Sequence, residues 1–539
     1  MKKMKRILAT TLTLSLLVGS LVGCGGSDSK KGGAKLTGEK ITITAQVSGH
    51  KEAWLEHAAE AFTHETGIEV EFTFDALLSQ NLTTILETDG VEKSDIYNVG
   101  TYEWAKWLET GLIEDLTDFM NEPDEAEGGK SLNDRTTKGM EYIFDKQGNK
   151  KQGTVPLVQP VYGMAYNKTM MKYICQDVLG WEADHIYPVN TKELQEVIDA
   201  LNKEVKAGSN KELLTYSQDG KTFDVKPWTW SGSTGMLEFL FYSWFGQYVG
   251  QEQLSAYLAE QGDEPTLYKD PAFYLLYQKI CDLLDITTSD SGEVYSANSI
   301  PNCVSFNHTA SQSQFILGKS LLIPTASWFY TEMSEAIMDE KQWGFMPVPW
   351  LSDDAGEPLT AEGVEMPKNE DGTYRPYTYT PATSGFLVIP SESKNKENAK
   401  KFLRFLTSSE YLPKISEDIQ ETMAYEIDYS KIKKTEWFAQ AIDVKEKCEI
   451  ASYFSDNRLV LFGRFGFYQN PGVAPYSQLS IGTFGSVEKM VDSATGKELK
   501  AGEKAKGFAV SENVYNYVEG NAARALVGWN ESKQMVGID

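Results

Sequence analysis

The chain has 539 residues, 24% of them charged and 41% hydrophobic, with a formal net charge of −26. That acidic balance argues against nucleic acid as a partner, since phosphate binding is built on excess Lys and Arg, and it gives the folded body no attraction to an anionic membrane surface. So long a chain exceeds what one core can bury, so two or more domains are expected.

Residues 1–23 have the layout of a secretory signal. Lys2, Lys3, Lys5 and Arg6 precede an uncharged run from Ile7 to Gly23 that ends in small residues. The run is shorter than the roughly 20 apolar residues of a membrane-spanning helix. Loss of the four basic residues with this leader takes the net charge from −26 to −30. Residues 24–38 are rich in Gly, Ser and Lys and read as a flexible tether.

Folded sequence begins at "KITITAQVSG", where Ile41, Ile43, Ala45 and Val47 alternate with polar residues as in a strand. In "EAWLEHAAEAFTHETG", Trp54, Leu55, Ala58, Ala59 and Phe62 fall at helical spacing and Gly67 stops the helix. "IEVEFTF" alternates again, which completes a βαβ unit. A helix at "LSQNLTTILETDG", a short strand at "SDIYNVG" and a helical stretch broken at Gly111 extend the alternation. The pattern predicts an α/β domain with a mainly parallel sheet. "VPLVQPVYGMAYNKTMM" carries short extended pieces that Pro156 and Pro160 confine to edges or crossovers. "TKELQEVIDALNKEVKAG" predicts an amphipathic helix closed by Gly208, and "PWTWSGSTGMLEFLFYSWFG" a loop followed by a buried helix. A helix ending at Gly318, a strand at "KSLLIP", a Trp-bearing turn and a strand at "WGFMPVPWL" follow. Residues 352–380 read as a surface insertion, and "SGFLVIPSESKNKENAKKFLRFLTSSEYL" as strand, turn and amphipathic helix.

Chemistry-bearing motifs are sparse. His57, Glu60 and His64 lack the H-E-x-x-H spacing of zinc proteases, and no G-x-S-x-G, phosphate-binding loop or G-x-G-x-x-G occurs. "NEDGTYRP" lacks the ligand spacing of a calcium loop. Cys175, Cys281, Cys303 and Cys448 share no metal-type spacing, which leaves buried thiols or one or two disulfides open. No metal and no cofactor is expected. The chain is aromatic-rich, with 12 Trp, 27 Tyr and 24 Phe. Rings suit the C–H faces of sugars, while carboxylates and amides suit their hydroxyls.

Two resemblances sharpen this picture. Leu21-Val22-Gly23-Cys24 resembles the lipobox of bacterial lipoproteins. That implies a diacylglyceryl group on Cys24 and cleavage just before it, and two acyl chains give stable anchoring. The stretches "EAWLEHAAEAFTHETGIEVEFTF", "SDIYNVGTYEWAKWLETGLIEDLTDFM", "VPLVQPVYGMAYNKTMM", "GKSLLIPTASWFYTEM" and "SGFLVIPSESKNKENAKKFLRFLTSSE" resemble, in order and spacing, the substrate-binding lipoproteins of ABC importers in the carbohydrate-type family 1 group. The resemblance implies a two-lobed α/β, periplasmic-binding-protein-like fold of type II with a ligand cleft between the lobes. Lobe 1 would comprise 39–158 and the return segment 342–392; lobe 2 would comprise 159–341 and the C-terminal part 393–539. Extra length relative to the family falls at 121–150, 352–380 and 440–475.

Trp328, at the family's cleft-lining tryptophan, is the first candidate ligand contact. Trp228 and Trp230 flank a polar loop, and Tyr162 and Gly163 lie at the crossover. Tyr102 and Glu103 follow one strand, and Gln46, Ser48 and His50 follow another, at the carboxyl ends where open α/β sheets bind ligands. A charge at a helix N-terminus accounts equally well for Glu103. Ser384 and Gly385 follow the 352–380 insertion, and Tyr476 is a further candidate. The expected function is capture of a carbohydrate, an oligosaccharide above all, and its delivery to ABC permease subunits. The protein would be a monomer anchored through Cys24 on the outer face of the cell membrane, at a Gram-positive type of surface. The alternatives are a surface-anchored carbohydrate hydrolase and a ligand-sensing receptor partner.

Overall fold

A computed structural model describes residues 33–46, 52–100, 104–137, 143–144, 149–233, 236–258, 266–288, 294–337, 340–380, 385–452 and 489–536. The first segment contains Lys40–Gln46 (β1), Ala53–Thr66 (α1), Glu69–Asp75 (β2), Leu78–Glu87 (α2), Ile96–Val99 (β3) and Trp104–Glu109 (α3). The second contains Tyr162–Asn167 (β4), Thr191–Ala207 (α4), Lys226–Trp228 (β5), Glu238–Leu258 (α5), Ala272–Leu284 (α6), His308–Ile316 (α7), Ser320–Ala326 (β6) and Trp343–Met346 (β7). Then come Tyr377–Thr380 (β8), Phe386–Val388 (β9), Lys396–Leu406 (α8), Leu412–Ile419 (α9), Glu436–Lys447 (α10), Glu449–Ser452 (β10) and Glu512–Val536 (α11).

The elements form where sequence spacing demands. Helix α1 buries Trp54, Leu55, Ala58, Ala59 and Phe62, and Gly67 ends it with φ 73°, its N–H returning to the Thr63 carbonyl. A left-handed C-terminal residue is one that glycine adopts without steric cost. Helix α4 starts where the Asn190 side chain accepts from the Glu193 N–H and stops at Gly208, φ 68°.

Two four-stranded sheets organise two lobes. The first has the order β9-β3-β1-β2, with β1 parallel to β2 and β3 and with β9 antiparallel to β3. The second has the order β7-β4-β6-β5, with β4 antiparallel to both neighbours and β5 parallel to β6. Strands β8 and β10 form a separate parallel pair. The lobes are joined by extended segments that run side by side: Val155 bridges Leu387, Val158 bridges Met423, and Thr136 bridges Tyr425.

Two of the expected lobe boundaries move. Residues 342–392 were assigned to lobe 1, yet β7 pairs with β4 inside the second sheet, and β9 is the strand of that span that joins the first. Residues 393–539 were assigned to lobe 2, yet α8 and α9 bury Phe402, Leu403, Leu406, Leu412 and Ile415 in the first lobe's core with Phe62. The Phe62 and Phe402 rings meet edge-on at 5.1 Å. The chain enters the second lobe after Tyr425, where Trp437 and Phe438 of α10 pack with Ile323 and Phe345. Both differences have one cause: strand partners and helix docking are set by contacts across hundreds of residues, which local alternation does not encode.

The four cysteines Cys175, Cys281, Cys303 and Cys448 are free and buried. None of the helices among the described residues is long and apolar enough to cross a membrane.

Candidate functional site

The connection after β6 carries Trp328. Seven consecutive buried residues make β6 a central strand, and Ser327 and Trp328 follow where it leaves the sheet. Trp328 is half-buried while Ser327 is fully buried. The Trp328 ring meets Tyr162 edge-on at 5.1 Å and Phe239 edge-on at 6.5 Å, and Tyr162 and Phe239 meet at 4.3 Å. Edge-to-face packing suits the ring quadrupoles, so the three rings brace one another and leave part of the indole outside.

Next to this cluster lies a buried carboxyl that motif reading missed. Glu238 opens α5 and is 8% exposed. Burial pushes its carboxyl well above the ordinary carboxylate range. Its charge reaches Tyr162, whose phenol burial already pushes far up. Among the described residues no side chain donates a hydrogen bond to Glu238. An acceptor so placed suits a ligand hydroxyl.

The first lobe contributes the ends of its parallel strands. Gln46 closes β1, and its Oε1 accepts from the Ser79 hydroxyl and from the Gly100 N–H at 3.3 Å. Gln46 therefore ties the carboxyl ends of β1 and β3 together, the location where open α/β sheets hold ligands. Gly385 precedes β9 with φ 68°, and a Cβ there would stand 3.8 Å from Leu157 and 3.9 Å from Asn98 Oδ1.

Other candidates have structural partners instead. Trp230 is 1% exposed and donates its indole N–H to Ser299 Oγ at 3.0 Å. Trp228 is 1% exposed within β5 and packs in the second lobe's core, its indole N–H unpartnered among the described residues. The polar loop expected around these two tryptophans is thus the end of a buried strand. Gly163 lies in β4, where a Cβ would stand 2.5 Å from the Met346 carbonyl oxygen, so close approach of β7 requires glycine. Cys24, Ser48, His50, Tyr102, Glu103, Ser384 and Tyr476 lie outside the described residues.

The Trp328 turn is fastened to the segments joining the lobes. The Val161 N–H donates to Ser327 Oγ at 3.0 Å, and the Ser327 N–H to the Val161 carbonyl at 2.9 Å. The Ser327 hydroxyl donates to Glu421 Oε2 at 2.7 Å, and the Thr422 N–H donates to Glu421 Oε1 at 2.8 Å. Gln159 and Thr422 pair through Gln159 N–H to Thr422 O at 2.9 Å, and the Thr422 hydroxyl donates to the Gln159 carbonyl. Trp437 donates its indole N–H to the Ser327 carbonyl at 2.7 Å. Among the described residues, no group of three or more His, Cys, Asp or Glu side chains is arranged to hold a metal.

Two lobes built on separate sheets, joined by crossing segments bridged antiparallel and with an aromatic cluster beside them, define a two-lobed binding-protein fold. Residues 48–412 match the family model of the bacterial extracellular solute-binding proteins, and the chain belongs to that family. Solved structures share the fold at low identity. A probable secreted solute-binding lipoprotein from Streptomyces coelicolor aligns with TM-score 0.54 at 14% identity, over 90% of this chain and 98% of that one. RafE from Streptococcus pneumoniae, in its apo form, aligns with TM-score 0.53 at 16% identity, over 94% and 100%. The GacH receptor of Streptomyces glaucescens aligns with TM-score 0.51 at 15% identity, over 90% and 98%. Curated protein sequences give no match.

Proposed function

We propose that this protein captures a carbohydrate, above all an oligosaccharide, between its lobes and hands it to the permease of an ABC importer. The observation that carries this reading is the Trp328 ring, half-exposed and braced edge-on by Tyr162 and Phe239, with the buried Glu238 carboxyl, to which no side chain among the described residues donates, close to Tyr162. A flat apolar face next to a hydrogen-bond acceptor matches a sugar's C–H face and hydroxyl rim. Membership of a family of binding proteins favours capture over hydrolysis, and GacH is described in complex with acarbose. Capture would proceed by hinge closure about the crossing segments. A diacylglyceryl anchor on Cys24 would hold a monomer at the outer face of the cell membrane, of Gram-positive type. The tether would keep it at high effective concentration beside the permease.

The test is a thermal-shift panel of raffinose, acarbose and xylo-oligosaccharides. A sugar at 100 times its dissociation constant stabilises the fold by about 2.7 kcal/mol. Trp328→Ala should abolish that shift and leave a folded apo protein. Release of reducing ends during incubation, or a full shift in Trp328→Ala, would overturn the reading.

A further inference from the structure

Glu421 sits where the lobes join, and its surroundings are unusual for an acid. It is 0% exposed, as are its neighbours Thr422 and Ser327. Its two oxygens face donors from two different elements: the Thr422 N–H on the crossing segment, and the Ser327 hydroxyl on the turn after β6. Through Ser327 it reaches a second crossing segment at Val161. Its own carbonyl accepts from the Ser416 hydroxyl at 2.7 Å, which fixes it to α9 of the first lobe. One residue thus ties the first lobe through its carbonyl, and two crossings and the turn bearing Trp328 through its carboxyl.

No cation within ion-pair distance compensates that carboxyl among the described residues. The nearest candidate, Lys445 on α10, donates its ammonium to the Met423 carbonyl at 3.1 Å instead. Two phenols on other elements, Tyr162 of β4 and Tyr429, feel its charge without bonding it. A buried carboxylate without a contact cation favours its neutral form, because ionisation in a desolvated site is costly. Burial accordingly pushes Glu421 up to about 7, against the pull of its donors and of Lys445, and lowers Lys445 to about 8.

We propose that Glu421 is a positioning residue and the proton-sensitive latch of the hinge: the dry joint that holds the Trp328 turn against the crossing segments accommodates it as a neutral acid, and its ionisation, which calls for water at the carboxylate, loosens that joint. The sign follows from linkage. A latch that binds its proton more tightly closed than open closes as pH falls and opens as pH rises. The link to ligand affinity rests on the reading of Trp328 as a sugar contact; the latch does not.

The experiment therefore uses no ligand. Hydrogen–deuterium exchange of the full chain is followed by mass spectrometry on peptides containing Val161 and Thr422, and corrected for intrinsic exchange. Amides of β1 serve as controls. Protection at the two latch amides should fall roughly 25-fold between pH 5.5 and 8, beyond any change in the controls. Glu421→Gln, permanently neutral, should keep high protection with no pH dependence. A role confined to packing would alter the level of protection without altering its pH profile. Lys445→Met should move the fall to higher pH, because it removes the ammonium that eases ionisation. Ser327→Ala should expose the Val161 amide and leave the pH response at Thr422. A pH dependence that survives Glu421→Gln, an unmoved profile in Lys445→Met, or latch amides that track the controls would each overturn the proposal.

Discussion

Replacing Gly163 by alanine separates two explanations for this residue. Strand β4 is hydrogen-bonded on both sides, to β6 and β7. An alanine Cβ at 163 would stand 2.5 Å from the Met346 carbonyl oxygen and 2.9 Å and 3.2 Å from Phe345 ring atoms. Unstrained carbon–oxygen approaches lie near 3.3 Å, so β7 must retreat by about 0.8 Å. The Phe345 ring has little room to yield, since it is 2% exposed and packs on Trp437 at 5.0 Å. Overpacking of this kind costs about 1–3 kcal/mol, and weakening one ladder hydrogen bond adds about 1 kcal/mol. A total near 3 kcal/mol lowers the unfolding midpoint of a lobe-sized unit by roughly 6–12 °C. Differential scanning calorimetry reads this, with sugar affinity measured at 20 °C on the folded protein. A lower midpoint and an affinity within about twofold of wild type are expected. A wild-type midpoint, or an unchanged midpoint with lost affinity, would refute it and return Gly163 to the ligand.

Two further outcomes follow from local chemistry. His57 on α1 and Asp418 on α9 lie 2.8 Å apart, and this hydrogen bond, then the Asp418 charge, raises the imidazole above its ordinary value. The pair's contribution should be fully present below about pH 6.5 and lost as pH rises through the raised folded value. The difference in unfolding midpoint between wild type and Asp418→Asn should therefore vanish toward pH 9, and a difference constant from pH 5 to 9 would contradict this. In the full chain carrying Cys24→Ser, no thiol should react with Ellman's reagent at pH 8 in native protein, because burial pushes Cys175 and Cys303 up to about 12 and Cys281 and Cys448 higher still. All four should react in urea without reductant. Fewer than four would indicate a disulfide.

The sequence was most legible where physics is local. The buried face of α1, Trp54 to Phe62, was readable from spacing alone, and so was its end at Gly67. The strand character of 40–46 and 320–326 was equally plain. Legibility failed where meaning depends on distant partners. Trp228 and Trp230 stand in a run of Ser, Thr and Gly that looks like a loop, yet Asn298, Ser299 and Leu322 make it a strand end inside a core. Glu421 carries no local signature, for its partner Ser327, and Val161 beyond it, come from elsewhere in the chain. Glu238 was hidden for the opposite reason: among 77 acidic residues, one at the start of a helix looks ordinary until burial is known. Trp328 is a candidate through family resemblance and its place after a strand; its bracing by Tyr162 and Phe239 was not readable.

The pairing of β8 with β10 joins two stretches that are far apart in the chain. The 352–380 and 440–475 segments look like independent insertions in the sequence, but each supplies one strand of the same parallel ladder. The Glu449 N–H reaches the Pro376 carbonyl at 2.8 Å, and Arg375 pairs with Glu449 at 3.3 Å. Helix α5 has a matching notch at Gly246, where a Cβ would stand 2.7 Å from the Ala451 methyl. Either strand alone would present an unpaired edge, an open template for aggregation. In engineering terms the two strands therefore form one unit, to be trimmed or transplanted together.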